Sequence, residues 1–96
     1  SNKLINNYKN KIINIHPSLL PKFKGLNTFS RILKSKEIKS GCTVHYVNEK
    51  LDSGCNIIQK SFFIDAADDE NILKSKTQKL EYKAFPEAII KIFRNN

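Results

Sequence analysis

The feature that most constrains this chain is a short apolar run that ends in a histidine and a proline. Residues 12–15 read Ile-Ile-Asn-Ile, and His16 and Pro17 follow directly. Consecutive β-branched residues are typical of a strand that is buried on both faces. Proline cannot donate a ladder hydrogen bond and disfavours helix in the residue before it, so the strand is predicted to end at His16. It then opens into a loop over residues 18–25, and α/β proteins place their chemistry at such strand ends.

Downstream of that strand, the patterns predict a helix and then a hairpin. The helix is expected over residues 28–36. Residues 41–48 alternate in polarity, and residues 55–63 contain the apolar pairs Ile57-Ile58 and Phe62-Phe63, which indicates two strands. The turn that joins them contains Asp52, which is therefore expected at the tip of the hairpin.

Two further segments complete the predicted architecture. Apolar residues at helical spacing over residues 72–93 predict a long helix, which Pro86 is expected to kink or divide. Residues 4–11 are predicted to be the last turns of another helix. The sequence therefore predicts an α/β chain of about three strands with two or three helices, which resembles part of an α/β domain. The edge strand that a missing neighbour would leave favours pairing with another chain, so self-association is expected.

Asn14, His16 and Asp52 are the residues whose types suggest chemistry. Asn14 and His16 alternate along one strand, so their side chains point the same way at its end. Histidine exchanges protons near neutral pH, and an asparagine amide can donate a hydrogen bond to a developing oxyanion. Asp52 is a candidate to orient the imidazole. Spacing alone fits equally a satisfied strand-end histidine, a loop-capping asparagine and an ordinary turn aspartate.

The charge balance favours anionic partners. Of the 96 residues, 17 are Lys or Arg and nine are Asp or Glu, which gives a net charge of +8. Nucleic acid, a phosphorylated metabolite and a polyglutamylated cofactor all fit this charge, although the dispersed lysines weaken the interpretation as a nucleic-acid-binding module. Cys42 and Cys55 are expected to be reduced thiols of a cytoplasmic protein. The sequence lacks a run long and apolar enough to span a membrane.

Two blocks of sequence carry a resemblance to a known family. The run Asn-Ile-His-Pro-Ser-Leu-Leu-Pro at residues 14–21 and the run Gly-Cys-Thr-Val-His-Tyr-Val at residues 41–47 stand in this order, and Leu-Asp-Ser-Gly follows at residues 51–54. Both blocks are very similar to signatures of the 10-formyltetrahydrofolate-dependent formyltransferases. Residues 43–47 and 81–86 are more similar to the members that formylate glycinamide ribonucleotide than to those that formylate methionyl-tRNA.

The resemblance implies a fold, a reaction and a site. The fold would be the C-terminal half of a Rossmann-like formyltransferase domain, with the phosphate-binding N-terminal half absent from residues 1–96. The reaction would be transfer of the formyl group of 10-formyltetrahydrofolate to glycinamide ribonucleotide, with no metal ion. Asn14, His16 and Asp52 would be catalytic, Glu81 would contact the nucleotide substrate, and the folate would lie against a loop made of Glu49, Lys50, Leu51, Asp52, Ser53 and Gly54.

Some positions depart from the pattern of the resembled family. Asn27 and Phe29 stand where many relatives have histidines, and His45 is expected to pack and hydrogen-bond rather than exchange protons. Formyltetrahydrofolate hydrolase, which uses water as the nucleophile, is an alternative, and a basic nucleic-acid-binding module is the alternative without catalysis. Because only half of the resembled domain is present, residues 1–96 are predicted to transfer no formyl group unless an N-terminal half is supplied.

Overall fold

The computed structural model describes residues 3–6, 11–47 and 56–94 of the chain. Within these ranges the polypeptide forms one four-stranded sheet and two helices. In chain order the elements are β1 (Lys3–Asn6), β2 (Lys11–His16), α1 (Thr28–Ser35), β3 (Lys39–Val47), β4 (Asn56–Phe63) and α2 (Glu70–Arg94).

The four strands lie in sequence order, and each pairs with the next in antiparallel orientation. In the pairing of β2 with β3, Asn14 lies opposite His45, and His16 lies opposite Thr43. The register of β3 and β4 shifts between Val44 and His45, as at a β-bulge. The central pairing therefore places four polar side chains, two from each strand, next to one another.

The hydrophobic core lies between the sheet and α2. Its buried residues come from three strands and the helix: Ile13, Ile15, Cys42, Val44, Ile57, Ala84, Ala88 and Ile92. The two alanines are spaced by one helical turn, and their small side chains let α2 approach the sheet closely. Fully burying one of the isoleucines is worth roughly 1.5–3 kcal/mol relative to leaving it in water, so this layer holds the helix on the sheet.

The long helix α2 begins at a carboxylate cap. The Ile72 amide donates to Asp69 Oδ1 over 2.8 Å, which satisfies one of the backbone donors that a helix start leaves open. Just upstream, Lys76 Nζ lies 2.8 Å from Asp68 Oδ2 and 3.2 Å from Asp65 Oδ2, and ties the preceding turn to the helix. The long helix predicted over residues 72–93 is confirmed, and it begins slightly earlier, at Glu70.

Pro86 lies inside α2, and the helix continues through it to Arg94. A proline here removes one backbone donor, but Pro86 is on the exposed side of the helix, where water can bind the carbonyl that loses its partner. Of the two expected effects of Pro86, a kink or a division, the division does not occur, and the described residues form two helices.

The predicted strands at the centre of the sheet are confirmed, and β2 ends at His16 as its proline requires. The helix predicted over residues 4–11 is wrong, because Lys3–Asn6 is a strand that pairs with β2. Leu4 and Ile5 pair with Ile13 and Ile12, so long-range pairing overrides the weak local pattern. This short strand adds a fourth to the three predicted. The predicted turn at residues 51–54 lies outside the described residues.

Among the described ranges, no helix has both the length and the apolar character needed to cross a bilayer.

Candidate functional site

Asn14 and His16 occupy the end of β2 that opens into the loop. His16 is 8% exposed, and Asn14 is half-buried. Since they are two residues apart on a strand, their side chains leave the sheet on the same face. The structure therefore brings together these two predicted residues, an amide and an imidazole, beside a loop.

The loop after β2 provides a direct partner for the imidazole. His16 Nε2 lies 3.0 Å from the Phe23 carbonyl oxygen. The same oxygen accepts a hydrogen bond from Arg31 Nη2 over 3.0 Å. One backbone carbonyl thus connects the end of β2 with α1.

A buried threonine fixes the first part of this loop on the sheet. Thr43 Oγ1 donates to the Ser18 carbonyl over 2.7 Å and accepts from the Leu20 amide over 3.1 Å. Gln59 Nε2, on β4, donates to Thr43 Oγ1 over 3.0 Å and to the Leu20 carbonyl over 2.8 Å. Ser18 Oγ in turn donates to the Lys22 carbonyl over 2.7 Å. Because Thr43 lies opposite His16, this network holds the loop at the end of β2.

Asn14 has an unusual environment for an amide. Its Oδ1 atom is buried and has no hydrogen-bond partner within the described part of the chain. Leaving a buried polar atom without a partner costs roughly 1–3 kcal/mol, and such atoms call for an explanation in terms of strain, catalysis or a missing partner. Opposite Asn14, His45 is 1% exposed, and its Nδ1 lies 3.2 Å from the Tyr46 carbonyl oxygen. His45 therefore has the surroundings of a packing and hydrogen-bonding residue.

Glu81 approaches the same region from the long helix. Burial raises the pKa of its carboxyl above the usual 4.5, while the nearby charge of His16 lowers that pKa in part. Burial also raises the pKa of the Cys42 thiol to about 11, and the negative charge of Glu81 adds to this shift. Glu81 is thus close enough to interact electrostatically with His16, and Cys42 is held as a neutral thiol.

Other predicted site residues lie outside the described ranges. They are the predicted catalytic Asp52 and the rest of the folate-binding loop: Glu49, Lys50, Leu51, Ser53 and Gly54. Their roles stay predictions. Within residues 3–6, 11–47 and 56–94, no group of three or more histidine, cysteine, aspartate or glutamate side chains is placed to hold a metal ion.

Four of the residues that build the surroundings of His16 were not predicted. Thr43 and Gln59 anchor the loop, and Phe23 and Arg31 contact the imidazole or its carbonyl partner. Alternation along β3 places Thr43 on the face opposite the core, which was a usable signal. No local pattern indicated Arg31, because its targets are backbone carbonyls.

A cleft of about 340 Å³ lies elsewhere, between α2 and β4. Its lining consists of Ile58, Glu87, Ile90, Lys91 and Arg94. These residues belong to the opposite side of the sheet from Asn14 and contribute nothing to the surroundings of His16. Its size alone therefore does not make it the candidate site.

Comparison with known proteins places this geometry in context. Residues 1–89 match the protein family described as formyl transferase. The chain is 40% identical over 91 residues to phosphoribosylglycinamide formyltransferase from Haemophilus influenzae, which covers 95% of this chain and 42% of that protein. It is 45% identical over 85 residues to trifunctional purine biosynthetic protein adenosine-3 from Drosophila pseudoobscura pseudoobscura, which covers 88% of this chain and 6% of that protein.

Solved structures give the same result for the fold. The crystal structure of phosphoribosylglycinamide formyltransferase from Campylobacter jejuni superposes with a TM-score of 0.80 at 40% identity, over 88% of this chain and 46% of that chain. The corresponding structure from Anaplasma phagocytophilum gives a TM-score of 0.78 at 40% identity, over 80% of this chain and 37% of that chain. The chain thus spans less than half the length of each of these proteins.

Proposed function

Because the chain belongs to the formyl transferase family, we propose that it carries the catalytic centre for formyl transfer to glycinamide ribonucleotide, a step of purine biosynthesis. The donor in this proposal is 10-formyltetrahydrofolate. The observation that supports it most is that Asn14 and His16 share one face at the end of β2, where the following loop binds the His16 imidazole. Relatives named for this activity share about 40% of their residues with the chain over the matching stretch.

The proposed reaction needs an oxyanion stabiliser and a route for protons. The substrate amine attacks the formyl carbon, a C–N bond forms, and the carbonyl oxygen becomes an oxyanion. The Asn14 amide donates to that oxygen, and His16 stabilises the same charge. The bond from the formyl carbon to N10 of the folate then breaks, N10 takes up a proton, and the attacking amine loses one. Asp52 supports His16 in this proton transfer.

Substrate and folate binding are assigned by the same resemblance. The half-buried carboxylate of Glu81 contacts the nucleotide substrate, and its position near His16 supports this role. The folate lies against residues 49–54. The chain in this proposal is the catalytic and folate-binding portion of the domain, and the phosphate of the substrate binds to an N-terminal half.

Asn14→Ala tests the proposal when the rest of the domain is supplied. We would fuse this chain to the N-terminal part of the Haemophilus influenzae relative and measure formylated product with 10-formyltetrahydrofolate. Loss of one oxyanion donor typically lowers kcat by about 10² to 10³, and KM is expected to change little because the interaction forms in the transition state. Asn56→Ala, at an exposed asparagine that begins β4, is the matched control and should keep full activity.

Three results would contradict the proposal. One is a folded fusion that binds folate but forms no product. Another is a fusion that releases formate instead of formylated glycinamide ribonucleotide, which would indicate the hydrolase. The last is an Asn14→Ala variant that turns over as fast as the parent.

A further inference from the structure

The side chain of Arg31, on α1, donates hydrogen bonds to backbone carbonyl groups of the loop after β2 rather than pairing with acidic side chains. Its Nε donates to the Leu26 carbonyl over 2.9 Å, and its Nη2 donates to the carbonyls of Phe23 and Lys24. The guanidinium also lies 5.9 Å from the centre of the Phe23 ring. A planar guanidinium presents several donors in fixed directions, so one side chain can hold three carbonyls at once.

The backbone that Arg31 holds is strained. Phe23 has a φ of 58°, a left-handed conformation that is rare for a bulky residue. Such a conformation is energetically unfavourable and persists only where its surroundings impose it. The hydrogen bond from Arg31 to the Phe23 carbonyl is one such constraint, and it fixes the direction of that oxygen.

That direction determines the chemistry of His16. A carbonyl oxygen only accepts hydrogen bonds, so His16 Nε2, 3.0 Å away, must carry the hydrogen. In the neutral imidazole, Nδ1 is then the basic nitrogen. The tautomer of a catalytic histidine is set by the bond that its other nitrogen makes.

We propose that Arg31 is a positioning residue for His16. By holding the carbonyls of residues 23, 24 and 26, it keeps the Phe23 oxygen where it binds His16 Nε2–H, and this selects Nδ1 as the nitrogen that exchanges protons. The geometric link stands on the contacts themselves. Its importance for turnover rests on the proposed function of His16.

The link can be tested by NMR on the chain itself, without substrate. The Nε2-bound proton of a histidine exchanges slowly with water only where it is buried and hydrogen-bonded. In the parent chain, we expect a resolved His16 Nε2–H signal and a scalar coupling across the hydrogen bond to the carbonyl carbon of Phe23. The chain has only two histidines, which simplifies assignment.

Three substitutions then distinguish the effect of the planar guanidinium of Arg31 from the effect of its positive charge. Arg31→Gln should speed exchange of the His16 proton by about tenfold or more, since losing one hydrogen bond of ordinary strength changes a local equilibrium by roughly that factor. Arg31→Lys keeps the charge but has one ammonium group, so it should restore little of the protection. Lys34→Gln removes a charge from an exposed site on the same helix and should change nothing.

Other outcomes would overturn the link. A parent chain with no coupling to Phe23 would do so regardless of how the variants fold, and so would unchanged exchange in Arg31→Gln or full rescue by Arg31→Lys. In the active fusion, Arg31→Gln should lower kcat more than it raises KM. A fusion that is inactive while the NMR link is intact would contradict the proposed function and leave the link standing.

Discussion

At the residue scale, the surroundings of His16 include three features that are energetically unfavourable in the folded chain. The half-buried Glu81 carboxyl has a raised pKa, Asn14 has a buried oxygen without a partner in the described ranges, and Phe23 has a left-handed backbone. Each feature lowers stability where it stands. Features of this kind are expected where function, rather than folding, selects the residues.

Glu81→Gln tests the electrostatic part of this interpretation. A carboxyl whose pKa is raised by folding stabilises the fold in its protonated form. That contribution is complete below the unfolded value of about 4.5 and is lost as pH rises through the folded value. Glutamine resembles the protonated form, so Glu81→Gln should raise the unfolding temperature by a few degrees at pH 7. The difference should vanish near pH 4.

Thermal unfolding followed by circular dichroism at both pH values measures this difference. Glu70→Gln is the control, because Glu70 is exposed in the first turn of α2, where a negative charge is favourable, so its loss should bring no gain. A Glu81→Gln variant that is less stable than the parent at pH 7 would show that the ionised carboxylate is satisfied in the fold. In the active fusion, the same substitution should raise KM for the nucleotide substrate.

At the element scale, β3 organises the fold, and one of its glycines sets how closely it is packed. A Cβ atom built on Gly41 would lie 1.9 Å from the Lys60 carbonyl oxygen and 2.9 Å from Leu19 Cδ2. The first contact is with the backbone of β4 and cannot be relieved by a side-chain rotation. The second is with the loop that Thr43 and Gln59 anchor. Gly41 therefore permits both the strand pairing and the seating of the loop.

Gly41→Ala should destabilise the chain strongly. Overpacking typically costs about 1–3 kcal/mol, and a clash with a backbone carbonyl belongs at the upper end of that range or beyond. Urea unfolding measures the loss. Ser61→Ala, at the exposed residue opposite Gly41 in β4, should change stability by no more than about 0.5 kcal/mol. If the two variants were equally stable, β3 and β4 could move apart around residue 41 without a loss in the free energy of unfolding.

The strands and the helix that the sequence predicted correctly are those whose buried residues recur at a regular spacing along the chain. The β2 run, the alternation along β3 and the helical spacing of α2 each reflect a face turned toward the core. Lys3–Asn6 was missed because its pairing partner, β2, decides its conformation, and a four-residue segment carries too little pattern of its own.

The candidate site was predictable only in part. Alternation placed Asn14 and His16 on one face, and the resemblance added Glu81, which the structure brings near His16. Arg31 acts through backbone carbonyls and could not be predicted, because every residue type offers the same acceptor. The positive φ of Phe23 is likewise accompanied by contacts from Arg31 on α1, which no local sequence pattern reveals.

At the scale of the whole molecule, several lysines are held in ion pairs with acidic side chains. Lys22 pairs with Glu37 at 3.2 Å and Lys60 with Glu87 at 2.6 Å, while Lys76 is held by two aspartates. Surface pairs of this kind contribute little stability, but they direct lysines toward the protein rather than toward a partner. A nucleic-acid-binding function would require affinity that falls steeply with salt, and these pairs reduce the number of lysines available for phosphate contacts.

The chain spans less than half the length of two bacterial relatives. It covers 42% of the Haemophilus influenzae relative and 46% of the Campylobacter jejuni chain. Catalysis of a two-substrate reaction depends on holding both reactants close together in the reactive orientation. This positioning lowers the activation barrier by several kcal/mol. In the proposed function, the residues that hold the substrate phosphate belong to an N-terminal half.

Residues 1–96 alone should therefore bind a folate analogue weakly and form no product, whereas the fusion should bind it more tightly and turn over. Calorimetric titration and a product assay on both proteins measure this, with the Asn14→Ala fusion as the control that binds the folate analogue but turns over about 10² to 10³ more slowly. Sustained formyl transfer by residues 1–96 alone would show that this stretch already holds both substrates.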